Sequence, residues 1–569
     1  MTNTTSNERS YISALSDDLL WRLFTLFTIG NFDNEWIWDC GVRWKNPMQQ
    51  EPEDKPLITL RHVSQVCSRW REIVLSSSSL WANALDFQYL RQQENMWREE
   101  VIRRTGAALL SVIALRPLLG QPPDSDFLWD FLAQNRDRIR RLHVVVDTFH
   151  DPAEVLPVVQ SISQSPKLEA LCLNIHYGRP HTGFQEVLLG KSVSYLSIHR
   201  FNADLTPSSF TSLRTLKLVD CQLHPNFLVH LARMPLLEEF SFQEYYNYRF
   251  QGPVFWHPPH DSHPVNLPNL RVLSLGGTPR VTAALLAYIP PPPRLIDFSW
   301  NTLDRPVLTV DELDIFQEQF AKYFTHLMEF GEAGGISLLV DGTNFAIQTY
   351  GYDGVHKLRS RPPKIAFSFR ITYPGYTLEP AISSTLGYAP SPTGGRGVIS
   401  TIINFFISSP PSSFTSITSI EFSFNSLYNL PGPHLDPEII SAWLASFQAV
   451  RTLYASVLDV FLVFLLLQHR GYVLLPTMKE FIDVSKERLY IVNADAIVEL
   501  TRERTRLGIP LETMDLTACN EGEIEAFMLL EDVKGLEVKL NNEVRKCISR
   551  LKLFKELPEW EPSNDIVIR

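Results

Sequence analysis

The amino-acid sequence predicts an α/β protein in which a small all-α module near the N-terminus precedes a long array of strands and helices. Two patterns lead to this prediction. Apolar residues recur at helical spacing between residues 15 and 74, and a strand-like apolar pattern then recurs between residues 139 and 516. The chain has 569 residues, too many for one ordinary hydrophobic core, so several domains or an extended repeat array are expected.

Composition narrows the functional classes. Hydrophobic residues make up 44% of the chain and charged residues 20%, as in globular proteins, and a formal net charge of −11 argues against general nucleic-acid binding. Six scattered cysteines without a CxxC pair fit a reducing compartment. No apolar signal segment is recognised, and the most apolar run, Val457–Leu467, is too short to span a membrane. We expect a cytoplasmic or nuclear protein, or both, that does not bind membranes.

The first predicted helix begins after Ser16. Ser16 can cap the helix, and Asp17 and Asp18 then lie in the first turn, where the helix dipole favours negative charge. Apolar residues follow at helical spacing: Leu19, Leu20, Leu23, Phe24, Leu26 and Phe27. The segment Phe32–Pro56 has no clear period and is interpreted as an inserted loop. Its tryptophans, Trp36, Trp38 and Trp44, either pack back onto the parent domain or mark a binding surface.

A second helix is predicted over Leu60–Val74. Its apolar stripe is formed by Leu60, Val63, Val66, Cys67, Trp70 and Val74. Ser76–Ser79 ends this helix, and Leu80 and Trp81 are expected to return and pack on the module. So few apolar residues form a marginal core, and such a module is more stable when a partner buries its exposed apolar surface. The pattern therefore indicates a docking module.

The motif L-x-x-D-L-L…L-F from Leu15 to Phe24, followed by V-x-x-V-C-x-x-W-R-x-I from Val63 and by Leu80-Trp81, resembles an F-box. It is most similar to the F-box-like modules common in mushroom-forming fungi, and the resemblance covers roughly residues 12 to 85. Two features depart from the family pattern. Ser16 stands where the family usually has proline, and Phe32–Pro56 separates helices that are close together in the standard module.

The resemblance implies that the module docks on a Skp-type adaptor and, through it, on a cullin scaffold. The residues that the resemblance assigns to adaptor binding are Leu15, Asp18, Leu19, Leu20, Phe24, Val63, Val66, Cys67, Trp70, Leu80 and Trp81. For each of them the alternative is packing within the module. The predicted domain boundaries are an F-box-like module at 10–90 with an inserted loop at 31–57, a helical linker at 91–135, and a repeat array at 136–560.

The linker is predicted to be helical, with Leu109–Ile113 as part of an amphipathic connection and Asp124–Asp126 as a cap for a later helix. A basic run follows, formed by Arg136, Arg138, Arg140 and Arg141. It either lies on a solvated helix end and strand start or offers a site for a phosphate or an acidic partner.

The array is predicted from the pattern L-x-x-L-x-L, the strand signature of leucine-rich repeats. Copies begin at Ile139, Leu168, Val193, Leu213, Leu237 and Leu270, a further one follows at Leu295, and late copies begin at Ile417, Val450, Met478 and Leu511. Successive copies from Leu171 to Phe240 are 25, 20 and 24 residues apart, within the roughly 20–29 expected. This predicts an irregular leucine-rich-repeat-like solenoid with parallel strands on its concave face, helices on its convex face, and an irregular middle at 297–415.

No catalytic motif stands out, so we expect a protein that is not an enzyme and holds neither a cofactor nor a metal. His257, His260 and His263 have a spacing that a metal could use, and Gly394–Gly397 is glycine-rich, but both are interpreted as ordinary loops. The leading hypothesis is a substrate-receptor subunit of a cullin–RING ubiquitin ligase that serves ubiquitin-dependent protein degradation. The alternatives are a solenoid interaction scaffold without adaptor binding and a repeat-bearing enzyme.

Overall fold

The computed structural model describes residues 14–28, 56–87, 89–90, 95–114, 122–147, 152–176, 192–199, 210–221, 223, 226–244, 263–303, 310–330, 333–340, 344–351, 365–372, 417–423, 444, 447–455, 475–483, 494–517, 530 and 533–540. The chain divides into two compact units, Met1–Leu270 and Arg271–Arg569. The boundaries predicted at residues 90 and 135 lie inside the first unit. None of the described helices is both long and apolar enough to cross a membrane.

The described part of the first unit begins with four short helices. They are α1 (Asp17–Thr28), α2 (Pro56–Val66), α3 (Ser68–Ser76) and α4 (Ser78–Asn83). The single helix predicted over 60–74 is wrong, because Cys67 has extended backbone angles and separates α2 from α3. Apolar spacing alone did not reveal this break, since both helices present apolar residues to the same core. Most of the predicted inserted loop, with its three tryptophans, lies outside the described residues.

A parallel sheet follows directly. Its strands are β1 (Leu85–Asp86), β2 (Leu110–Ala114), β3 (Ile139–Asp147), β4 (Ala170–His176), β5 (Tyr195–His199), β6 (Thr215–Val219) and β7 (Glu239–Gln243). They pair in chain order, each parallel to the next. The helices between them are α5 (Asn95–Arg104), α6 (Pro122–Asn135), α7 (Pro152–Ser163) and α8 (Phe227–Leu231).

The prediction of a wholly helical linker over 91–135 is wrong in its middle. Leu110–Ala114 forms strand β2, which pairs with β1 on one side and β3 on the other. Leu110, Ser111 and Val112 are all buried, so the strand shows no alternation between buried and exposed positions. A short, continuously buried run of this kind cannot be assigned to helix or strand from periodicity. The sheet therefore begins before the predicted start of the array.

The recurring apolar pattern produces one continuous core on one face of this sheet. In register, Leu142 lies beside Leu171, and the same row continues through Leu196, Leu216 and Phe240. A second row two residues later is formed by Val144, Leu173, Ile198, Leu218 and Phe242. All ten side chains are buried. Because side chains alternate between the two faces of a strand, the residues between these rows lie on the opposite face.

The opposite face is also buried at β3, β4 and β5. The buried polar side chains there are His143, Cys172, Asn174, Ser197 and His199. Burial lowers the pKa of His143 to about 4 and raises the pKa of the Cys172 thiol to about 12, because both charged forms would lose hydration. At neutral pH the two groups are therefore uncharged, and neither the imidazole nor the thiol adds a charge to this face.

His143 makes the stability of the protein sensitive to mild acid. In the unfolded chain the imidazole binds a proton near pH 6.5, whereas in the folded protein it does so only near pH 4. Stability contributed by the neutral imidazole is thus present above pH 6.5 and lost as the pH falls toward 4, by roughly 3 kcal/mol in total. We expect His143→Gln to remove this part of the pH dependence. Urea unfolding of both proteins between pH 4 and 8 measures it, and parallel curves would contradict the prediction.

The second unit has a longer set of elements. Its strands are β8 (Val272–Gly277), β9 (Asp297–Leu303), β10 (Ala333–Val340), β11 (Asn344–Gly351), β12 (Ile365–Thr372), β13 (Ser419–Ser423), β14 (Thr452–Ala455), β15 (Glu480–Asp483), β16 (Thr513–Leu516) and β17 (Glu537–Leu540). Its helices are α9 (Pro279–Tyr288), α10 (Val310–Phe330) and α11 (Ala494–Arg506).

The irregular middle predicted at 297–415 corresponds to a change in strand order. The order across the sheet is β8, β9, β12, β11, β10, β13, β14, β15, β16, β17. Strand β11 is antiparallel to both of its neighbours, and the other pairs are parallel. Three strands joined as a meander are thus placed in reverse order inside a parallel sheet. Neither β11 nor α10 was predicted, because neither belongs to the repeat.

An aromatic cluster joins β9 to α9 and α10 in the second unit. Its members are the buried side chains of Phe298, Trp300, Phe316, Phe320, Tyr323 and Phe324. The Trp300 indole Nε1 donates to Thr282 Oγ1 at 2.8 Å, and the ring of Phe298 stacks on Tyr323 with centroids 4.7 Å apart. The Tyr323 hydroxyl donates to the carbonyl oxygen of Ile289. The polar atoms of both large rings are therefore satisfied within the cluster.

We expect Trp300→Ala to destabilise the second unit strongly. The change removes a fully buried ring and leaves the Thr282 hydroxyl without its indole partner, which costs about 3–5 kcal/mol. Ile296→Ala is the control, since Ile296 is 43% exposed and its truncation should change stability by about 0.5 kcal/mol or less. Equal unfolding midpoints in urea for these two variants would contradict the assignment of Trp300 to the core.

Candidate docking surface

The N-terminus of α1 is fixed by Ser16, as the sequence predicted. The Leu19 amide donates to Ser16 Oγ at 3.3 Å, and the Leu20 amide donates to the Ser16 carbonyl at 3.0 Å. The hydroxyl thus satisfies one of the amides that a helix start leaves without an intrahelical partner. Asp17 and Asp18 occupy the first turn. Serine therefore supplies a cap at the position where the F-box pattern usually has proline.

Arg69, near the start of α3, fastens this turn to the rest of the module. Its Nε donates to Asp17 Oδ1 at 2.7 Å, and its Nη2 donates to the Leu15 carbonyl at 2.6 Å. Leu19 is two residues beyond Asp17, and Cys67 is two residues before Arg69. The Arg69 bonds therefore join the first turn of α1 to the start of α3, directly after the α2–α3 junction at Cys67.

Helix α1 has a buried face and an exposed apolar face. Leu20, Phe24 and Thr28 are buried at intervals of four residues, and the Phe24 ring meets Trp70 edge to face at 5.2 Å. Leu19 is 50% exposed and Leu26 is 70% exposed. Consecutive leucines on α1 therefore have opposite environments, because residues one apart on a helix point in directions about 100° apart.

The residues predicted to bind the adaptor fall into three groups. Buried members are Leu20, Phe24, Leu80 and Trp81. Partly buried members are Leu15, Val63 and Trp70. Exposed members, called here the docking patch, are Asp18, Leu19, Val66 and Cys67. For the buried group the structure favours the alternative of packing within the module, since these side chains leave almost no surface for a partner in the free chain.

The buried group is organised by Trp81. Its indole Nε1 donates to the Val74 carbonyl at 2.8 Å, which joins α4 to α3. Its ring meets Trp97 of α5 edge to face at 6.2 Å, and the Arg104 guanidinium lies 5.3 Å from the ring centroid. Leu80 beside it is fully buried. These contacts explain why an L-W pair ends the sequence motif: both side chains close the core of the module.

The docking patch combines apolar surface with mixed charge. Leu19 and Val66 are 50% and 61% exposed, large fractions for branched aliphatic side chains. Asp18 is paired with Arg22 one turn later at 3.1 Å, but both side chains are mostly exposed, so this ion pair contributes little stability. Sequence reasoning missed Arg69 as the residue that holds the two parts of the patch together. Its only signal was a basic residue two positions after the V-C pair.

Where the structure describes them, the residues of the other candidate sites do not converge on a reactive centre. Arg138 donates to the Ala108 carbonyl and to Thr105 Oγ1, and Arg140 donates to Asn83 Oδ1 at 2.9 Å. Burial lowers the pKa of Arg138. Two members of the predicted basic run are thus bonded inside the fold. His263 is exposed, whereas His257, His260 and Gly394–Gly397 lie outside the described residues.

No model of a known protein family matches the chain, and no curated protein matches it in sequence. Functional proposals for this chain consequently rest on its residue pattern and on the geometry of the described residues.

We expect Arg69→Ala to loosen the start of α1. The variant loses the bonds to Asp17 and to the Leu15 carbonyl, but the side chain is 40% exposed, so the loss should be on the order of 1 kcal/mol. Hydrogen exchange of the amides at 17–22 should accelerate accordingly. Arg71→Ala is the control, because Arg71 bonds only to the Ser64 carbonyl among the described contacts. Equal exchange in both variants would contradict the role of Arg69.

Proposed function

We propose that this chain is a substrate-receptor subunit of a cullin–RING ubiquitin ligase. In this proposal the helical module docks on a Skp-type adaptor, and the repeats bind a target protein. The observation that carries it is the docking patch: Leu19, Val66 and Cys67 come from two separate parts of the F-box-like motif, all three are exposed, and the Arg69 bonds join the helix start that precedes Leu19 to the helix that follows Cys67. An intramolecular role would have buried the apolar ones.

Energetics support a partner at this position. Full burial of a leucine or valine side chain is worth about 1.5–3 kcal/mol, and Leu19 and Val66 leave much of that unused in the free chain. Leu26 and Phe27 extend exposed apolar surface along the same helix. An adaptor that covers these side chains would gain affinity from surface that contributes little to the stability of the module itself. The proposed location of the complex is the cytoplasm or the nucleus.

We infer further that the repeats are leucine-rich repeats whose non-leucine positions contact the target. Several of these positions already form bonds across neighbouring strands. Lys217 Nζ lies 2.7 Å from Glu239 Oε1, and Arg214 pairs with Glu238. Lys217 also lies 5.8 Å from the ring centroid of Tyr195. A target that binds here must match or replace these pairs, so charge complementarity would favour selectivity more than raw affinity.

The proposal assigns no catalytic step to this chain. Transfer of ubiquitin would be carried out by other subunits, and the chain would hold the target within their reach. The alternative remains an interaction scaffold that uses the same strands but does not engage the adaptor. The two differ in one measurable property, direct binding to a Skp-type adaptor.

Adaptor binding is tested with purified full-length chain and a recombinant Skp-type adaptor. We expect the wild-type protein to capture the adaptor, and Leu19→Asp/Val66→Asp to reduce capture at least about tenfold, because two charges would be placed against an apolar interface. Both residues are exposed, so the variant should keep the wild-type circular dichroism and melting temperature. Leu236→Asp is the matched control, since Leu236 is 39% exposed in the turn before β7.

The outcomes separate the hypotheses. Equal and negligible capture by wild type and variant would overturn the ubiquitin-ligase proposal and leave the scaffold. Strong capture by both would retain the adaptor but show that the docking patch is not where it binds. Equal loss in Leu19→Asp/Val66→Asp and Leu236→Asp would mean that charge in general, not the patch, weakens the complex.

A further inference from the structure

The helical module joins the sheet through the side chain of Asn83. Asn83 is the last residue of α4, and its Oδ1 accepts two hydrogen bonds from the sheet. Arg140 Nη2 of β3 donates at 2.9 Å, and Ser111 Oγ of β2 donates at 3.3 Å. One amide oxygen thus links the module to two successive strands, and one of the two bonds has a charged donor, which makes it stronger than a neutral bond.

The backbone continues this connection without a linker. Only Ala84 separates α4 from β1, and β1 pairs with β2 through Leu85 and Val112. The Phe87 amide then donates to the Ile113 carbonyl at 2.8 Å. The residues at this junction, from Ala84 to Phe87, are all buried. Because strands β2 and β3 pair in turn, the module is hydrogen-bonded to the sheet rather than tethered to it.

Helix α5 also contacts the helices at this junction. Arg104 donates to the Leu75 carbonyl and lies over the Trp81 ring, so α5 is bound to α3 and α4. The turn after α5 contains Gly106 with φ of +49°, and a Cβ at this position would meet Ser78 Cβ at 3.5 Å. This turn leads directly into β2. The module, helix α5 and the first strands are therefore packed around the same junction.

We propose that the helical module and strands β1–β3 open as a single cooperative unit. As a consequence, a partner bound to the docking patch would be held at a fixed orientation relative to strands β1–β3. The cooperative opening is inferred from the contacts at the junction alone. The positioning of a target relative to an adaptor rests in addition on the proposed function. A module on a flexible linker would behave differently, because its helices would open independently of the strands.

Native-state hydrogen exchange on the full-length chain tests the cooperative unit. We expect amides in α2–α4 and in β2–β3 to converge on one opening reaction as denaturant is raised, with a common slope. The proposal is overturned if the helices exchange through a reaction with a smaller slope while β2 and β3 stay protected. The measurement uses no adaptor, so a failure of adaptor binding does not change its outcome.

A variant series locates the coupling at Asn83. We expect Asn83→Ala to raise exchange about 10- to 100-fold in both α2–α4 and β2–β3, because it removes the acceptor for a charged and a neutral donor. Asn83→Asp retains an acceptor oxygen and should restore most of the protection. Asn269→Ala is the control: it loses a bond of 2.8 Å to the Pro235 carbonyl, away from the junction, and should leave both regions unchanged.

Acceleration of the helices alone in Asn83→Ala would overturn the coupling. If Asn83→Ala does not fold, the slopes measured on the wild-type chain decide the question by themselves.

Discussion

The first unit depends on the burial of Trp81. This ring lies where α3, α4 and α5 meet, and its one polar atom is bonded to the Val74 carbonyl, so its burial leaves no polar group unsatisfied. It fixes α4, and α4 runs through Ala84 into the first strand of the sheet. A single aromatic side chain therefore sets both the packing of the module and the position from which the sheet begins.

Adjacent residues in the same motif perform different tasks because of the geometry of the helix. Leu20 is part of the core, whereas Leu19 is half exposed. Sequence comparison alone assigns both leucines to partner binding. The three-dimensional structure shows which of the two is buried in the core and which is exposed. In the proposed function this separation leaves the buried side chains to stabilise the module and the exposed ones to contact an adaptor.

The strands of the array could be predicted from the sequence where one face of a strand packs in the hydrophobic core and the apolar pattern repeats along the chain. Strands β3–β7 satisfy both conditions, and their L-x-x-L-x-L segments became two buried rows. Strand β2 lacked alternation, and β11 belongs to no repeat, so neither left a periodic signal. For the site, the sequence supplied the set of residues, but it contained no information about the break at Cys67 or the long-range bonds of Arg69, which depend on tertiary contacts.

The same reasoning bears on what the strands can recognise. At β6 and β7 the charges lie in opposite-sign pairs: Lys217 pairs with Glu239 across the two strands, and Arg214 pairs with Glu238 one residue before each strand begins, so these four charges largely cancel. At β3–β5 the corresponding face is buried, and burial keeps its His143 imidazole and its Cys172 thiol uncharged at neutral pH. Long-range electrostatic attraction therefore contributes little to the choice of a partner by these strands. A partner of β6 and β7 would have to be chosen at short range, by substituting its own hydrogen bonds for the pairs that it disrupts.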